Sequence, residues 1–312
     1  MPAKALYRAF CLTAPDVPVF AQPWYLDACA AGGAWNVVLA REAGRVVAAL
    51  PYFYKQKGPF RYITMPPFVK WLGPYLLPEF RGRLPQEHAL LTQLIDQLPP
   101  LAAFKQNFYP TVTNWLPFYW AQFRQTTYYT YRLPDLRDLR RLEAGLSRGI
   151  RRDIRLARQV VRVVHDHPLA EFYRVNQLSF ERQGLAMPYS EAQFRRLDQA
   201  LAAAQARQLF FAVDAQGRVH SVAYLIWDAT TAYFLLAGDD PALRASGAGV
   251  LLAWEAIRYA SEVLQLRCFD FEGSMLPGVE RMRVRFGAVQ TPYFFVWKYS
   301  SRLFALLEKV RG

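Results

Sequence analysis

Residues 231–255 read TAYFLLAGDDPALRASGAGVLLAWE, and this stretch decides the fold. Residues 231–237 are rich in aromatic and aliphatic side chains and predict a strand, whereas the apolar run after Gly249 predicts a helix. Between them stands the pattern Arg244-x-x-Gly247-x-Gly249. Glycine allows positive φ and close approach of a ligand, and a helix N-terminus offers unpaired N–H groups and a positive dipole end. The stretch therefore predicts a cradle for a pyrophosphate group.

The chain around this stretch alternates strands and helices in a regular order. The predicted strands cover residues 160–165, 209–213, 219–227, 231–237, 267–271 and 292–298. The predicted helices cover residues 169–182, 191–207, 249–264 and 277–286. This order predicts an α/β fold with a mixed sheet, and it differs from the order of a doubly wound nucleotide-binding fold.

An arginine-rich segment precedes these elements. Between residues 140 and 162 eight arginines stand against Glu143 and Asp153. At about 100° per residue a helix would place arginines on one face and apolar side chains on the other. The arginine face comprises residues 148, 151, 152, 155, 158 and 162. It is interpreted either as a solvated surface or as a phosphate-facing stripe, because guanidinium groups match phosphate oxygens.

The strand order together with the R-x-x-G-x-G pattern resembles the GNAT (Gcn5-related N-acetyltransferase) fold. The resemblance implies that acetyl-CoA or another acyl-CoA is the donor. The residues implied to hold its pyrophosphate are Arg244, Ser246, Gly247, Ala248 and Gly249. The strand residues implied to line the pantetheine arm are Leu235, Leu236 and Ala237. A backbone N–H of that strand would hold the oxyanion.

A second signature follows downstream. It consists of Phe269-Asp-Phe-Glu-Gly-Ser274, Gly278-Val-Glu-Arg281, Arg285-Phe-Gly287 and Tyr293. This signature resembles the FemAB-like branch of the superfamily, which contains peptidoglycan interpeptide-bridge aminoacyltransferases. Members of that branch carry two GNAT-like domains in one chain. The resemblance is strong over about residues 145–300 and weaker over 35–131.

The FemAB-like resemblance sets the predicted domains and a second donor. It implies tandem GNAT-like acyltransferase domains, assigned here to residues 1–134 and 135–312. The basic helix would precede the second domain. Because some members of the branch use aminoacyl-tRNA, the resemblance also admits aminoacyl-tRNA as an alternative donor and a cell-wall precursor as acceptor.

Acyl transfer to an amine requires deprotonation of the amine, stabilisation of the oxyanion and protonation of the leaving group. No Ser-His-Asp or Cys-His signature is evident, which favours direct attack in a ternary complex. Glu272 is the candidate base. Asp270 lies two residues earlier on the same face of its strand. It either raises the pKa of one carboxyl or pairs with an arginine, such as Arg281 or Arg285, and shapes the turn. Tyr293 is a candidate proton donor or a core tyrosine.

The first half of the chain carries fewer chemical signals. Residues 35–54 predict a strand, a tight turn and a second strand, and the proline- and glycine-rich residues 55–78 predict an ordered loop. Residues 104–131 are dense in aromatics and form either a base-stacking platform or core. Residues 303–310 predict an amphipathic helix that docks on the chain itself or on a partner.

Composition narrows the class of protein. The 312 residues suit two domains, and 53% hydrophobic and 15% aromatic content excludes a disordered chain. No apolar run reaches the about 18 residues of a membrane span. Three cysteines and four histidines show no disulfide framework or metal spacing. These features predict a cytoplasmic protein without a metal ion. The formal net charge of +13 indicates anionic partners such as phosphates, nucleic acid or a membrane surface.

Three functions remain open at this level. The first is an N-acyltransferase with a small-molecule or peptide amine as acceptor. The second is an aminoacyl-tRNA-dependent transferase acting on a cell-wall precursor. The third is a non-catalytic binder of nucleic acid or of an anionic surface on a GNAT scaffold. No pattern specifies the acceptor or an oligomeric state.

Overall fold

The computed structural model describes residues 2–310, which divide into two compact units. Unit 1 comprises the described residues up to 128 together with those from 292 onwards, and unit 2 comprises residues 129–291. The C-terminal strand and helix therefore belong to unit 1, although they follow unit 2 in the chain.

The helices and strands are numbered in chain order. The helices are α1 (Ala3–Thr13), α2 (Pro23–Cys29), α3 (Leu84–Asp96), α4 (Leu116–Trp120), α5 (Leu139–Gly145), α6 (Arg148–Val160), α7 (Leu169–Glu181), α8 (Glu191–Ala203), α9 (Ala248–Glu262), α10 (Pro277–Val284) and α11 (Arg302–Lys309). The strands are β1 (Ala34–Glu42), β2 (Arg45–Lys57), β3 (Phe60–Thr64), β4 (Tyr75–Leu76), β5 (Ala103–Asn107), β6 (Arg124–Leu133), β7 (Val161–Val164), β8 (Arg207–Asp214), β9 (Val219–Trp227), β10 (Thr231–Asp239), β11 (Cys268–Asp270) and β12 (Val289–Tyr299).

Unit 1 contains strands in the order β1-β2-β3-β5-β12, with the short β4 paired to β2. The β1–β2 and β2–β3 pairs are antiparallel, whereas β3 and β5 are parallel at Tyr62↔Ala103. Helix α3 lies between β3 and β5 in the chain and packs on β1 and β2. The predicted hairpin over residues 35–54 is confirmed by the β1–β2 pairing.

Unit 2 contains strands in the order β7-β8-β9-β10-β11-β6. The β7–β8, β8–β9, β9–β10 and β11–β6 pairs are antiparallel, and β10–β11 is parallel. Helix α9 connects the two parallel strands and packs on β8, β9 and β10. The predicted mixed α/β sheet is confirmed, including the hairpin of β9 and β10.

Most predicted elements of unit 2 are present, with small differences at their ends. The predicted helix over residues 191–207 ends at Ala203, because Gln205 adopts a left-handed φ of 51° and Arg207 already begins β8. Helix α8 begins with a capping box in which the Ser190 hydroxyl accepts the N–H of Gln193.

The prediction that residues 55–78 form only a loop was wrong. Strand β3 lies in this segment and pairs with β2 over five residue pairs, from Phe53↔Thr64 to Lys57↔Phe60. Gly58, in a left-handed conformation with φ 54°, forms part of the turn between the two strands. Pairing with β2 stabilises β3, so the composition of this short strand predicts its structure poorly.

The basic helix is α6, and its two faces are as predicted. Ser147 caps it by accepting the N–H of Ile150. Ile150, Ile154 and Ala157 are buried, and they pack in the same core as α9. Five of the six arginines of the predicted face lie on α6, whereas Arg162 belongs to β7, and all six are exposed.

The aromatic-rich segment lies mainly in cores. Six of its eleven aromatic side chains are buried, namely Phe104, Phe108, Tyr109, Phe118, Phe123 and Tyr131. Tyr119 and Trp120 on α4 are exposed. The structure therefore favours the interpretation of this segment as core over a continuous base-stacking platform.

Candidate functional site

The residues of the predicted phosphate cradle lie where β10 ends and α9 begins. Residues 240–243 lead into a short 3₁₀ turn at Arg244–Ser246, and α9 begins directly after Gly247. Gly247 has φ 72°, the left-handed conformation that glycine adopts without a Cβ penalty. Gly247 carries no side chain with which to cap α9, and the N–H of Ala248 donates to Ser246 Oγ at 3.4 Å. The first-turn N–H groups of a helix point towards its N-terminal end.

Two carboxylates surround this turn. Asp240 accepts the N–H of Ala242 at 2.9 Å and caps the turn. Asp239 extends over the start of α9, where a Cβ on Gly249 would lie 2.6 Å from Asp239 Oδ1. The Asp239 carboxylate also lies 3.8 Å from Nε of Arg244. The absence of a side chain at Gly249 therefore leaves space for the carboxylate of Asp239.

Strand β10 changes its pairing halfway along. It pairs with β11 only from Thr231↔Cys268 to Tyr233↔Asp270, and a bulge interrupts its register with β9 between Phe234 and Leu236. Beyond Tyr233 the described pairing of β10 is with β9 alone. The two parallel strands thus diverge before the end of β10.

The three predicted arm-lining residues lie beyond this divergence. Leu235 is buried, Leu236 is half-buried and Ala237 is exposed. The carbonyl of Ala237 accepts a hydrogen bond from Asn176 of α7 at 2.9 Å. The next residue, Gly238, packs so tightly on α7 that an added Cβ would lie 2.6 Å from Cα of Asn176.

Helix α6 lies beside the cradle. A Cβ on Gly247 would lie 3.4 Å from the carbonyl oxygen of Asp153. Arg285 crosses the first turn of α6, where its Nε donates to Ser147 Oγ at 3.3 Å and its Nη2 lies 4.0 Å from Asp153. Gly149 allows this crossing, since a Cβ there would lie 2.0 Å from the Arg285 guanidinium.

Helices α6 and α9 pack with the same direction along the chain. Asp153 lies beside Gly247 at the start of α9, and further along Arg158 pairs with Glu255 at 2.9 Å. The first turn of α6 therefore extends past the N-terminus of α9, and Arg148 in that turn is exposed. The basic helix thus adds positive charge near the cradle.

Asp270 is the most completely engaged carboxylate near β11. It is fully buried and receives Arg132 Nε at 2.6 Å and Thr130 Oγ1 at 2.5 Å. Its Oδ1 also accepts the backbone N–H of Glu272 at 2.8 Å. The pairing partner is Arg132 of β6, not one of the arginines that follow β11 in the sequence.

Glu272 has an unusual backbone. Its φ is 59°, which is a strained conformation for a residue with a Cβ, and its side chain is 9% exposed. The hydrogen bond from its N–H to Asp270 holds this conformation. Strained backbones of this kind concentrate at functional sites, because the surrounding structure must stabilise them.

Tyr293 lies in unit 1, within an aromatic cluster. Its ring contacts Trp71 edge-on with centroids 5.7 Å apart and Tyr128 with centroids 5.9 Å apart. The side chain is 5% exposed. Its surroundings within that unit are those of a core tyrosine.

Sequence reasoning missed several residues around the cradle. Gly149, Asp153 and Ser147 are brought beside the cradle only by tertiary packing. The glycine inside an arginine-rich helix was the one available signal, because glycine weakens a helix and needs a reason to be there.

The described residues contain neither a metal-binding cluster nor a membrane-spanning helix. Among residues 2–310 no group of three His, Cys, Asp or Glu side chains is arranged to hold a metal ion. No helix in the described part of the chain has both the length and the apolar character to cross a bilayer.

Comparison with known families finds a match over less than half of the chain. Residues 144–281 match the model of the acetyltransferase (GNAT) domain family. No protein of curated function matches the chain by sequence. The match covers the basic helix, the cradle and Glu272, and it supports assignment to the acyltransferases.

Solved structures extend the likeness to both units. FemX is 12% identical with a TM-score of 0.71, covering 93% of this chain and 95% of that chain. A tandem GNAT protein from the clavulanic acid biosynthesis pathway is 14% identical with a TM-score of 0.52, covering 94% and 92%. The C-terminal domain of a putative lysylphosphatidylglycerol synthetase from Agrobacterium fabrum is 13% identical with a TM-score of 0.60, covering 99% and 96%. The protein has the two-domain GNAT/FemAB-like fold.

Proposed function

We propose that the protein is an N-acyltransferase that uses acyl-CoA and transfers the acyl group directly to an amine. The observation that carries the proposal is the cradle, in which left-handed Gly247 opens α9 beside Arg244 and the diverging end of β10. Backbone N–H groups and a guanidinium are suitable ligands for a pyrophosphate. Leu235, Leu236 and Ala237 are assigned to the pantetheine arm.

The proposed reaction is a nucleophilic substitution at the thioester carbonyl. The amine nitrogen forms a bond to that carbon, the carbon–sulfur bond breaks, and CoA leaves as a thiolate. We assign Glu272 as the base that accepts the amine proton. Asp270 is a positioning residue, because its own carboxylate is fully engaged and it fixes the Glu272 backbone. Tyr293 stays a sequence-based proposal for the group that protonates the thiolate.

Calorimetric titration with CoA and acetyl-CoA tests the donor. We expect saturable binding by the intact protein, and no binding at millimolar ligand would overturn the proposal. Replacing Asp239 by Asn provides a sharper test of the location. Because the Asp239 carboxylate lies at the start of α9 and near Arg244, its removal should strengthen CoA binding severalfold. Asp228→Asn, at the opposite end of β10, is the matched control.

Thiol release from acetyl-CoA in the presence of a panel of amines tests the chemistry. Glu272→Gln should lower turnover by at least about 100-fold while CoA affinity stays unchanged. Glu262→Gln, at the far end of α9 and paired with Arg258, should leave turnover unchanged. Full turnover by the Glu272→Gln protein would remove Glu272 from the mechanism.

A second candidate is an aminoacyl-tRNA-dependent transferase acting on a cell-wall precursor. It is favoured by the exposed arginine face of α6, the helix whose Asp153 lies beside Gly247. Filter binding with charged and uncharged tRNA over a range of salt concentrations tests it, since each phosphate contact steepens the salt dependence. CoA-dependent turnover without any specific binding of charged tRNA would exclude this candidate.

A further inference from the structure

Helix α11 of unit 1 is attached to the rest of that unit along one side. Phe304 is 2% exposed and packs against Phe60 and Tyr62, with ring centroids 5.4 and 4.9 Å away. Glu308 accepts a hydrogen bond from Lys105 Nζ at 2.6 Å and another from the Tyr299 hydroxyl at 2.6 Å. This side of α11 is therefore packed against the rest of unit 1.

The same helix presents a second apolar face to solvent. Leu303 and Leu306 are each 59% exposed, Leu307 is 42% exposed and Val310 is 80% exposed. At about 100° per residue these four side chains fall within an arc of roughly 100°. Four aliphatic side chains on one arc form a contiguous patch, in contrast to single exposed apolar residues, which need no explanation.

Cations border this patch. Arg302 and Lys309 are exposed and lie together on one edge of the apolar arc. Lys57 is also close: burial raises the pKa of Glu308, but hydrogen bonds from Lys105 and Tyr299 and the charges of Lys105 and Lys57 outweigh this and hold it below its ordinary value. The apolar face of α11 thus lies within a basic part of unit 1.

A surface cavity of about 460 Å³ opens beside α11. Its lining includes Arg124, Lys298 and Lys309 together with Trp297 and Tyr299, and none of its described lining residues is acidic. Cations next to exposed aromatic and aliphatic side chains suit a group that is anionic at one end and apolar at the other. A phospholipid with a net negative headgroup has this chemistry.

An exposed apolar face of this kind could bind either a second copy of the chain or a membrane, and the surrounding charge distinguishes the two. A second copy of the chain would bring Arg302 and Lys309 against the same cations, and each copy carries a formal net charge of +13. An anionic bilayer complements these charges. We propose that α11 and the neighbouring basic cavity form a peripheral docking surface for anionic phospholipid membranes. The leucines enter the interface while Arg302 and Lys309 contact headgroup phosphates.

Co-sedimentation of the intact protein with phosphatidylcholine vesicles, with and without phosphatidylglycerol, tests the proposal. Binding should require phosphatidylglycerol and weaken as salt rises. Leu306→Gln/Leu307→Gln and Arg124→Gln/Lys309→Gln should each reduce partitioning roughly tenfold. Leu12→Gln/Leu185→Gln, which alters leucines that are 86% and 53% exposed elsewhere, is the matched control.

Several outcomes would overturn the docking surface. These are absence of binding to anionic vesicles, equal binding to neutral vesicles, equal losses in the control, and a concentration-dependent dimer that only the α11 variants abolish. Because the altered side chains are exposed, thermal unfolding should stay unchanged and exclude misfolding. Acyl transfer to a soluble amine should also be unaffected, so the proposed catalytic function succeeds or fails separately.

Discussion

Units 1 and 2 share one succession of elements but differ at one junction. In each, three strands joined by antiparallel pairing lead through a helix to a parallel strand: β1-β2-β3-α3-β5 in unit 1 and β8-β9-β10-α9-β11 in unit 2. The junction before the helix spans residues 65–83 in unit 1 and only residues 240–247 in unit 2. The longer junction contains several prolines and the strand β4.

The two helix starts have opposite chemistry. In unit 1, Pro85 lies in the first turn of α3 and supplies no N–H group, and Glu87 accepts the N–H of Gly82 at 3.0 Å. In unit 2, glycines at the start of α9 leave the first turn open, with Arg244 next to it. A shared succession of elements therefore does not fix the chemistry of the helix start, which depends on a few turn residues.

The largest expected contrast concerns ion pairs. Asp270→Ala should lower the free energy of unfolding by about 3 kcal/mol or more, because Arg132 is only 15% exposed and would lose its carboxylate partner. In unit 1, Glu308→Ala should cost about 1 kcal/mol, because the Lys105–Glu308 pair is 22% and 27% exposed. Urea unfolding measures both variants, and equal losses would contradict the distinction.

The next contrast is in donor binding. Arg244→Glu should weaken CoA binding by roughly ten- to 100-fold, because a charge-assisted contact to phosphate becomes a repulsion. Arg83→Glu alters the residue at the N-cap position of α3 in unit 1, and it should leave CoA affinity unchanged. Calorimetry on both variants measures the difference, and a similar loss in each would point to a general charge effect.

Replacing two left-handed glycines distinguishes the effect of backbone strain from an effect on CoA binding. Gly247 has φ 72° and Gly82 has φ 75°, and both lie at the start of a helix. Replacing either by Ala should cost about 1 kcal/mol of stability, because a Cβ is disfavoured there. Only Gly247→Ala should also reduce CoA affinity. Thermal unfolding and titration of the two proteins measure the two effects independently.

The smallest expected effect depends on pH. In the β8–β9 turn, hydrogen bonds from His220 and from Arg218 hold the pKa of Asp214 well below its ordinary value. The stability that Asp214 contributes is therefore complete above its unfolded pKa of about 3.9 and is lost as the pH falls further.

Comparison of Asp214→Asn with the parent protein measures this effect. The difference in urea midpoint should be larger at pH 6 than at pH 3. The exposed residue Glu42 in the β1–β2 hairpin of unit 1 provides the control, and Glu42→Gln should give a small difference at both pH values. A constant difference for Asp214→Asn would contradict the low pKa.

The sequence predicted much of unit 2 because its signals are local. Runs of aliphatic and aromatic residues marked β9 and β10, and glycines marked the start of α9. The faces of α6 followed from helical periodicity alone. In unit 1, β3 was missed because its pairing with β2 supplies the stability that its short sequence does not signal.

The candidate site was predictable only in part, for a related reason. The R-x-x-G-x-G pattern is contiguous, so the sequence locates the cradle. The partner of Asp270 is not contiguous: Arg132 and Thr130 come from β6, far earlier in the chain. Likewise the left-handed backbone of Glu272 depends on its hydrogen bond to Asp270. The residue types in this segment do not predict that conformation.

The sequence by itself determined the mixed α/β class, the basic helix and the glycine-rich start of α9, because periodicity and turn chemistry act over a few neighbouring residues. Tertiary structure decided which strands became neighbours, which carboxylate became buried and where Asp239 lies against α9. Those outcomes depend on side chains from distant segments competing for the same space and the same hydrogen-bond partners. In both units, local sequence patterns set the individual helices and strands. The two units differ in the packing around one helix start.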